Sequence, residues 1–368
     1  MRLRPLALAC LCALLAAIPV FALPQTFSKH LVSDTHLGPH WVRAVDLNED
    51  GYVDLLTAGY TSCDIAWWEN DGGMPPTFAE HTIHPSFRRA PSVHSADIDG
   101  DGHIDVVAAG SQDGRVAWWE NDGQGSFTKH PVSDTFAGAL SVYATDLDGD
   151  ADIDLLGAAR DLDSIAWWEN DGSQNFTQRL ITDSFDGACS VHAADVDGDG
   201  DEDILGTAYL ADDIAWFENT GGTPPSFAPH IIDSEFGRAA RVYAIDLDQD
   251  GYVDVLGTAP DDGDIVWFEN TGAQPTSFVK HIIKGDFAGA YGLHVADVDS
   301  DDDLDVLGTA YLDNHVMWFE NTGGTPLGFT EHLLDDALDY PLSVYATDLD
   351  GDGDTDVMGT AYHGPEIS

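Results

Sequence analysis

SVHAADVDGDGDEDILGTAYLADDIAWFEN, residues 190–219, is the stretch that decides the fold. Its first six residues alternate between small or apolar and polar side chains, the pattern of a strand with two unlike faces. The next nine, Asp195 to Asp203, are an acidic turn with glycines at 198 and 200. An apolar strand (ILGTA), a short turn and a second apolar strand (IAWFEN) follow. The unit recurs along the chain, its acidic turn beginning at Asp46, Asp97, Asp146, Asp195, Asp246, Asp297 and Asp348, a spacing of 49 or 51 residues.

Working outward from each copy, a Gly-rich turn (ENDGG or ENTGG) leads to a fourth strand of the form F-x-x-H-x-[IL], as in Phe278 to Ile283. Nothing in the unit has helical periodicity. Four short antiparallel strands in about 50 residues make one propeller blade. The reading is therefore an all-β, seven-bladed β-propeller of four-stranded blades over residues 23–368. Adjacent residues on a strand face opposite ways, so Trp67-Trp68, Trp118-Trp119, Trp167-Trp168, Trp216-Phe217, Trp267-Phe268 and Trp318-Phe319 should each pack against both neighbouring blades. Phe27 to Val32 reads as a fourth strand with no first strand before it. It is expected to close the last blade, which is truncated at its third strand because Glu366-Ile367-Ser368 stands where W-[WF]-E-N should begin.

Residues 1–22 read as a signal peptide: Arg2 and Arg4, an apolar run from Leu6 to Val20, and the small-residue spacing of Val20-Phe21-Ala22. The run is too short for a membrane span, so a secreted, cell-surface or periplasmic protein without membrane insertion is expected. Beyond that segment the cysteines are Cys63 and Cys189, at unlike points of the repeat, and free thiols are expected rather than a disulfide. The chain carries 66 acidic and 14 basic residues, a formal charge of −52, which excludes nucleic acid and anionic membrane as general partners. A hydrophobic content of 43% with 10 Trp excludes disorder.

The acidic turns follow D-x-[DN]-x-D-x-x-x-D. The first copy fills it with Asp46, Asn48, Asp50 and Asp54, the second with Asp97, Asp99, Asp101 and Asp105. The third has Asp146, Asp148, Asp150 and Asp154, the fourth Asp195, Asp197, Asp199 and Asp203. The fifth has Asp246, Asp248, Asp250 and Asp254, the sixth Asp297, Asp299, Asp301 and Asp305, and the seventh Asp348, Asp350, Asp352 and Asp356. Hard oxygens converging from one turn suit calcium, which takes six to eight of them. Without a cation, carboxylates about 4 Å apart repel by roughly 4 kcal/mol per pair at an effective dielectric near 20. An EF-hand is excluded, because the twelfth position of the first copy is Thr57 and both flanks are β-patterned. The sixth position, Gly in five copies, is expected at positive φ. Ala151 and Asp302 break the pattern, and Ala151 should weaken the third loop.

On these loops, on FAGA at Phe136 to Ala139 and Phe287 to Ala290, and on the sevenfold count, the chain resembles the FG-GAP and VCBS repeat family, which includes the integrin α-subunit propeller. The resemblance implies calcium bound by the aspartates named above, on the underside of the ring. The family's Gly-Ala-Pro element survives only as Arg89-Ala90-Pro91.

Loops after strand two and between blades share the opposite face. Arg88, Arg89, Arg160, Arg238 and Arg241 lie there and are the candidate ligand-binding residues, suited to acidic glycans or an acidic protein loop; pairing with nearby acids is the alternative. Three residues before each acidic loop stand Arg43, His94, Tyr143, His192, Tyr243, His294 and Tyr345, either lining a channel mouth or packing unequal blades. The six F-x-x-H histidines recur too regularly for one catalytic site. No unique nucleophile, phosphate loop or acid pair stands out, so the expected function is a monomeric binding or adhesion module for an extracellular glycan or protein, not an enzyme. The alternative is a polysaccharide-degrading propeller using His94, Tyr143, His192 and Arg238.

Overall fold

The computed structural model describes residues 26–368, so the expected signal peptide lies outside the described residues. The first blade is β1 (Pro39–Val45), β2 (Asp54–Gly59), β3 (Ile65–Asn70) and β4 (Phe78–His84), paired in that order and antiparallel throughout. The acidic turn joins β1 to β2, and the Gly-rich turn joins β3 to β4. Five further four-stranded sheets repeat this order.

The expectation of seven four-stranded blades is corrected: the structure has six. The seventh copy forms a two-stranded sheet, Pro341–Thr347 with Asp356–Ala361. Beyond it, Ile367 makes isolated bridges to Thr360 and to Ser33. Residues 26–32 form no strand, so the expected closure by an N-terminal fourth strand is reduced to that single bridge. In each of the five other blades that carry a histidine at this point of the fourth strand, its imidazole stacks on the first ring of the W-[WF] pair. In the first blade, His81 lies 4.6 Å from Trp67 and its Nε2 is 2.8 Å from Glu69. The seventh copy has no W-[WF]-E-N, so His30 has neither partner and stays exposed.

Every strand equivalent to β2 in the six blades is buried along its whole length, and the aromatic pairs beside it are buried too. The first ring of one pair meets the second of the next, Trp67 clustering with Trp119, Trp118 with Trp168 and Trp167 with Phe217. Trp68 packs with Val42, Met358 and Ile367, which joins the first blade to the last sheet. Asn70 does the same with a hydrogen bond, its Nδ2 donating to the Leu349 carbonyl at 2.9 Å. Cys63 and Cys189 are unpaired. Among the described residues no helix is long and apolar enough to cross a membrane.

Candidate metal loops and a tyrosine-lined face

In the acidic loops the backbone amides aim the carboxylates. In the second copy, Asp97 Oδ1 accepts from the amides of Gly100 and Asp101 at 2.9 and 3.1 Å, and its Oδ2 from Gly102 at 3.0 Å. Asp99 accepts from Asp101, and Asp101 from His103. The result places an oxygen of Asp97, Asp99 and Asp101 within 4.8 Å of one another, and the same holds for Asp195, Asp197 and Asp199 and for Asp246, Asp248 and Asp250. In the third copy the close set is Asp146, Asp148 and Asp154.

The ninth-position aspartate of each four-stranded blade is buried beneath the exposed rim, and in the third copy Asp154 stays close to it. Asp105 is fully buried, its Oδ2 accepting from Ile98 N–H at 2.9 Å and its Oδ1 from Asn121 N–H at 2.8 Å, so it ties the loop to the third strand. Asn121 then donates from Nδ2 to Leu47 O of the preceding loop at 2.7 Å, linking neighbouring blades. Burial pushes Asp54 and Asp305 up to about 6, and Asp105, Asp154, Asp203 and Asp254 up to about 7. Burial also raises Asp99, Asp148, Asp197, Asp248 and Asp299. Asp46, Asp148 and Asp299 each bury an Oδ1 that has no hydrogen-bond partner. Orphaned anionic oxygens in a convergent turn are what a hard cation would satisfy, so the donor set fits one.

The sixth loop position is left-handed in every copy, including Ala151 (φ 77°) and Asp302 (φ 73°). A non-glycine residue there is strained by about 1 kcal/mol. Ala151→Gly is therefore expected to stabilise the protein by about 1 kcal/mol, seen as a rise in chemical-denaturation midpoint at unchanged slope; a fall would contradict the strain. The fourth position is left-handed as well, where Glu49, Gln249 and Ser300 replace glycine. Glu49 and Gln249 reach the next loop instead, Glu49 bonding to His103 and Gln249 Nε2 donating to Asp302 O at 2.7 Å.

The opposite face is not sevenfold. Tyr60, Tyr362, Tyr340, Tyr311, Tyr291 and His40 form a closed circuit of ring contacts, with successive centroids 5.7, 5.7, 4.5, 6.1, 6.2 and 5.5 Å apart. Its members come from the sixth blade, the last sheet and the first blade. All the tyrosines are half-buried. Burial raises Tyr311 to about 12 and also raises Tyr340 and Tyr362, so the hydroxyls remain protonated donors.

The candidate arginines divide around this circuit. Arg89, itself left-handed at φ 51°, lies 5.4 Å over Tyr60. Arg238 stacks 5.3 Å over Tyr209, donates to its hydroxyl and pairs with Asp261 at 3.1 Å. Arg160 pairs with Asp161, and Arg88 is exposed. Arg241 is buried, between Trp41 and Tyr291. The basic patch is thus largely a set of cations laid on aromatic rings.

The Arg, His and Tyr ring on the innermost strands does line the axis. His94–Tyr143, Tyr143–His192, His192–Tyr243, Tyr243–His294 and His294–Tyr345 make ring contacts at 4.2 to 6.1 Å around a central cavity of about 150 Å³. His94, Tyr143 and His192 therefore come together, but with Arg43; Arg238 does not line the cavity.

A family model for FG-GAP-like repeats matches residues 46–108, 97–157, 146–206 and 246–308, more than half of the chain. The protein belongs to the FG-GAP-like repeat family. Among solved structures, this FG-GAP-like chain is similar to a lectin from Agrocybe aegerita described as recognising non-reducing terminal N-acetylglucosamine: TM-score 0.57, 17% identity, 88% of this chain and 85% of that one. It is similar to virginiamycin B lyase from Staphylococcus aureus at TM-score 0.62 and 9% identity, over 92% of this chain and 96% of that one. BBS1N in complex with ARL6DN gives TM-score 0.60 and 11% identity, over 91% of this chain and 93% of that one. At these identities the likeness is one of fold. No curated protein matches the chain by sequence.

Within the FG-GAP-like repeat, the asparagine of each W-[WF]-E-N and the histidine of each fourth strand are scaffold. His130, His230, His281 and His332 repeat the stack and glutamate contact of His81, and Arg179 substitutes in the third blade, on Glu169 and Trp167. The tyrosine circuit was not legible as a site. Its residues occupy three different repeat positions, and the signal for it was Tyr directly after strand two at 60, 209, 311 and 362 where other copies have Ser111, Arg160 or Pro260.

Proposed function

We propose that this FG-GAP-like protein is an exported, calcium-loaded binding module that holds a glycan on its tyrosine-lined face. The observation that carries the reading is the closed circuit of five tyrosines and His40, a break in the repeat on the face away from the acidic loops. Half-buried tyrosines offer flat apolar rings with a donor at the edge, at little loss of side-chain freedom, the usual composition of binding hot spots. Sugar rings present matching C–H faces and hydroxyl edges. The fold likeness to a lectin agrees with this choice of ligand class. Calcium is the cation proposed for the loops, by donor hardness and number; it would neutralise the aspartates and order the turns that hold the blades' undersides.

Tyr340 and Tyr362 are central to the circuit and are only half-buried, so removing them leaves the core intact. Tyr340→Ala with Tyr362→Ala is expected to weaken glycan binding at least about 100-fold, taking roughly 2 kcal/mol for each hot-spot tyrosine removed, with an unchanged melting temperature. Glycan-array and calorimetric titration of the calcium-loaded protein would read this. Unchanged glycan binding in the double variant would overturn the assignment, and binding of a protein but no glycan would move the ligand class.

A further inference from the structure

We propose that the axial cavity beneath the tyrosine face is a carboxylate site, gripped by the free edge of Arg241. The inference rests on the cavity alone and holds whatever the tyrosine face binds.

Five residues before each acidic loop, the innermost strand carries Ser92, Ser141, Ser190 and Ser343, but Trp41, Arg241 and Gly292 in the remaining copies. Arg241 is 5% exposed. Its guanidinium lies 4.4 Å from the Trp41 ring and 4.6 Å from the Tyr291 ring. Trp41 belongs to the first blade and Arg241 to the fifth, so the side chain reaches across the axis. Two stacked rings leave a planar cation only its in-plane N–H edge, and Nη2 on that edge is buried without a hydrogen-bond partner.

Among the described residues no carboxylate lies within 4.0 Å of Arg241, although the chain has 66 acidic residues. No Asp or Glu lines the cavity, which also takes in Arg43. A buried charge is normally paired, and a buried donor normally bonded. The aromatic rings offset part of the charge; the empty edge remains.

Other unpartnered polar atoms line the same space. His94 Nδ1 and His192 Nδ1 are buried without partners. Ser141 Oγ accepts the amide of Val191 at 3.3 Å and Ser343 Oγ that of Val42 at 3.2 Å, so both hydroxyl hydrogens are left to donate into the cavity. The cavity of about 150 Å³ is roughly tenfold what one water needs. Donors without acceptors, a guanidinium fork and a small volume describe a site for one carboxylate, either of a free monocarboxylate or of an acidic sugar.

Calcium-loaded protein titrated with acetate, glucuronate and glucose at fixed chloride distinguishes these sources. Saturable binding of acetate and glucuronate alike assigns the carboxylate itself; glucuronate alone assigns an acidic sugar; glucose should give nothing. Arg241→Gln is expected to lose at least about tenfold in carboxylate affinity, and Arg241→Lys, which keeps charge without the fork, to fall between. Arg115→Gln, whose arginine is paired with Asp113 and Asp134 away from the cavity, should bind as the parent does. No saturable binding of either carboxylate by the parent protein, or equal binding by the parent and Arg241→Gln, overturns the proposal.

Discussion

Stripping calcium from the protein is expected to lower its melting temperature by about 15 °C or more. At a free concentration ten- to a hundredfold above Kd, each site contributes about 1.4 to 2.7 kcal/mol, and the chain has seven loops of the pattern. Even half of that total moves the melting point of a domain this large by the amount stated. The buried ninth-position aspartates set the direction. Held at about 6 to 7 by burial, they give the metal-free fold an advantage at low pH that is lost as pH rises through those values. Metal-free protein should therefore be least stable at neutral pH and above, where calcium restores most. Differential scanning calorimetry with calcium and with chelator at pH 7.5 reads the difference, and coincident melts would refute it.

The second large effect is an acid-labile axis of opposite sign. Burial holds His192 and His294 at about 4 in the fold, against about 6.5 when unfolded. The unfolded chain then binds more protons between those values. Their stability is full above about pH 6.5 and is lost as pH falls toward 4, at about 1.4 kcal/mol per unit for each group. Tyrosine already occupies the equivalent place at Tyr143, Tyr243 and Tyr345. His192→Tyr with His294→Tyr is expected to lose about 5 kcal/mol less than the parent between pH 7 and pH 4.5. Since both proteins share the acidic loops, the loop titration cancels in the comparison. Parallel pH profiles in urea unfolding would show that the histidines carry no proton linkage.

Blade architecture was legible because strand, turn and aromatic pair recur together and each constrains the others. Trp67 and Trp68 could be assigned to opposite neighbours from the period of a strand alone. The last copy misled. F-x-x-H looked sufficient for a fourth strand at Phe27, whereas the strand depends on a W-[WF]-E-N partner, which supplies both the ladder and the stacking surface for the histidine. The acidic loops were readable as turns between the first two strands, yet the fourth position's left-handed backbone was missed although glycine stood there at 100, 149, 198 and 351. The candidate arginines were found by charge, but their partners were not. Aromatic rings that meet across three different sheets, such as those of Tyr60, Tyr340 and Tyr291, sit at three different points of the repeat, and Arg241 crosses the axis to a residue 200 positions away.

The central claim is that the repeated acidic loop is a cation cage that makes an intensely acidic ring stable. Isothermal titration of calcium into metal-free protein, at pH 7.5 and physiological ionic strength, tests it most directly. The account predicts saturable binding at several sites approaching one per acidic loop, with the third loop, strained at Ala151, filling last. A flat titration, in a protein that stays folded throughout, would contradict it.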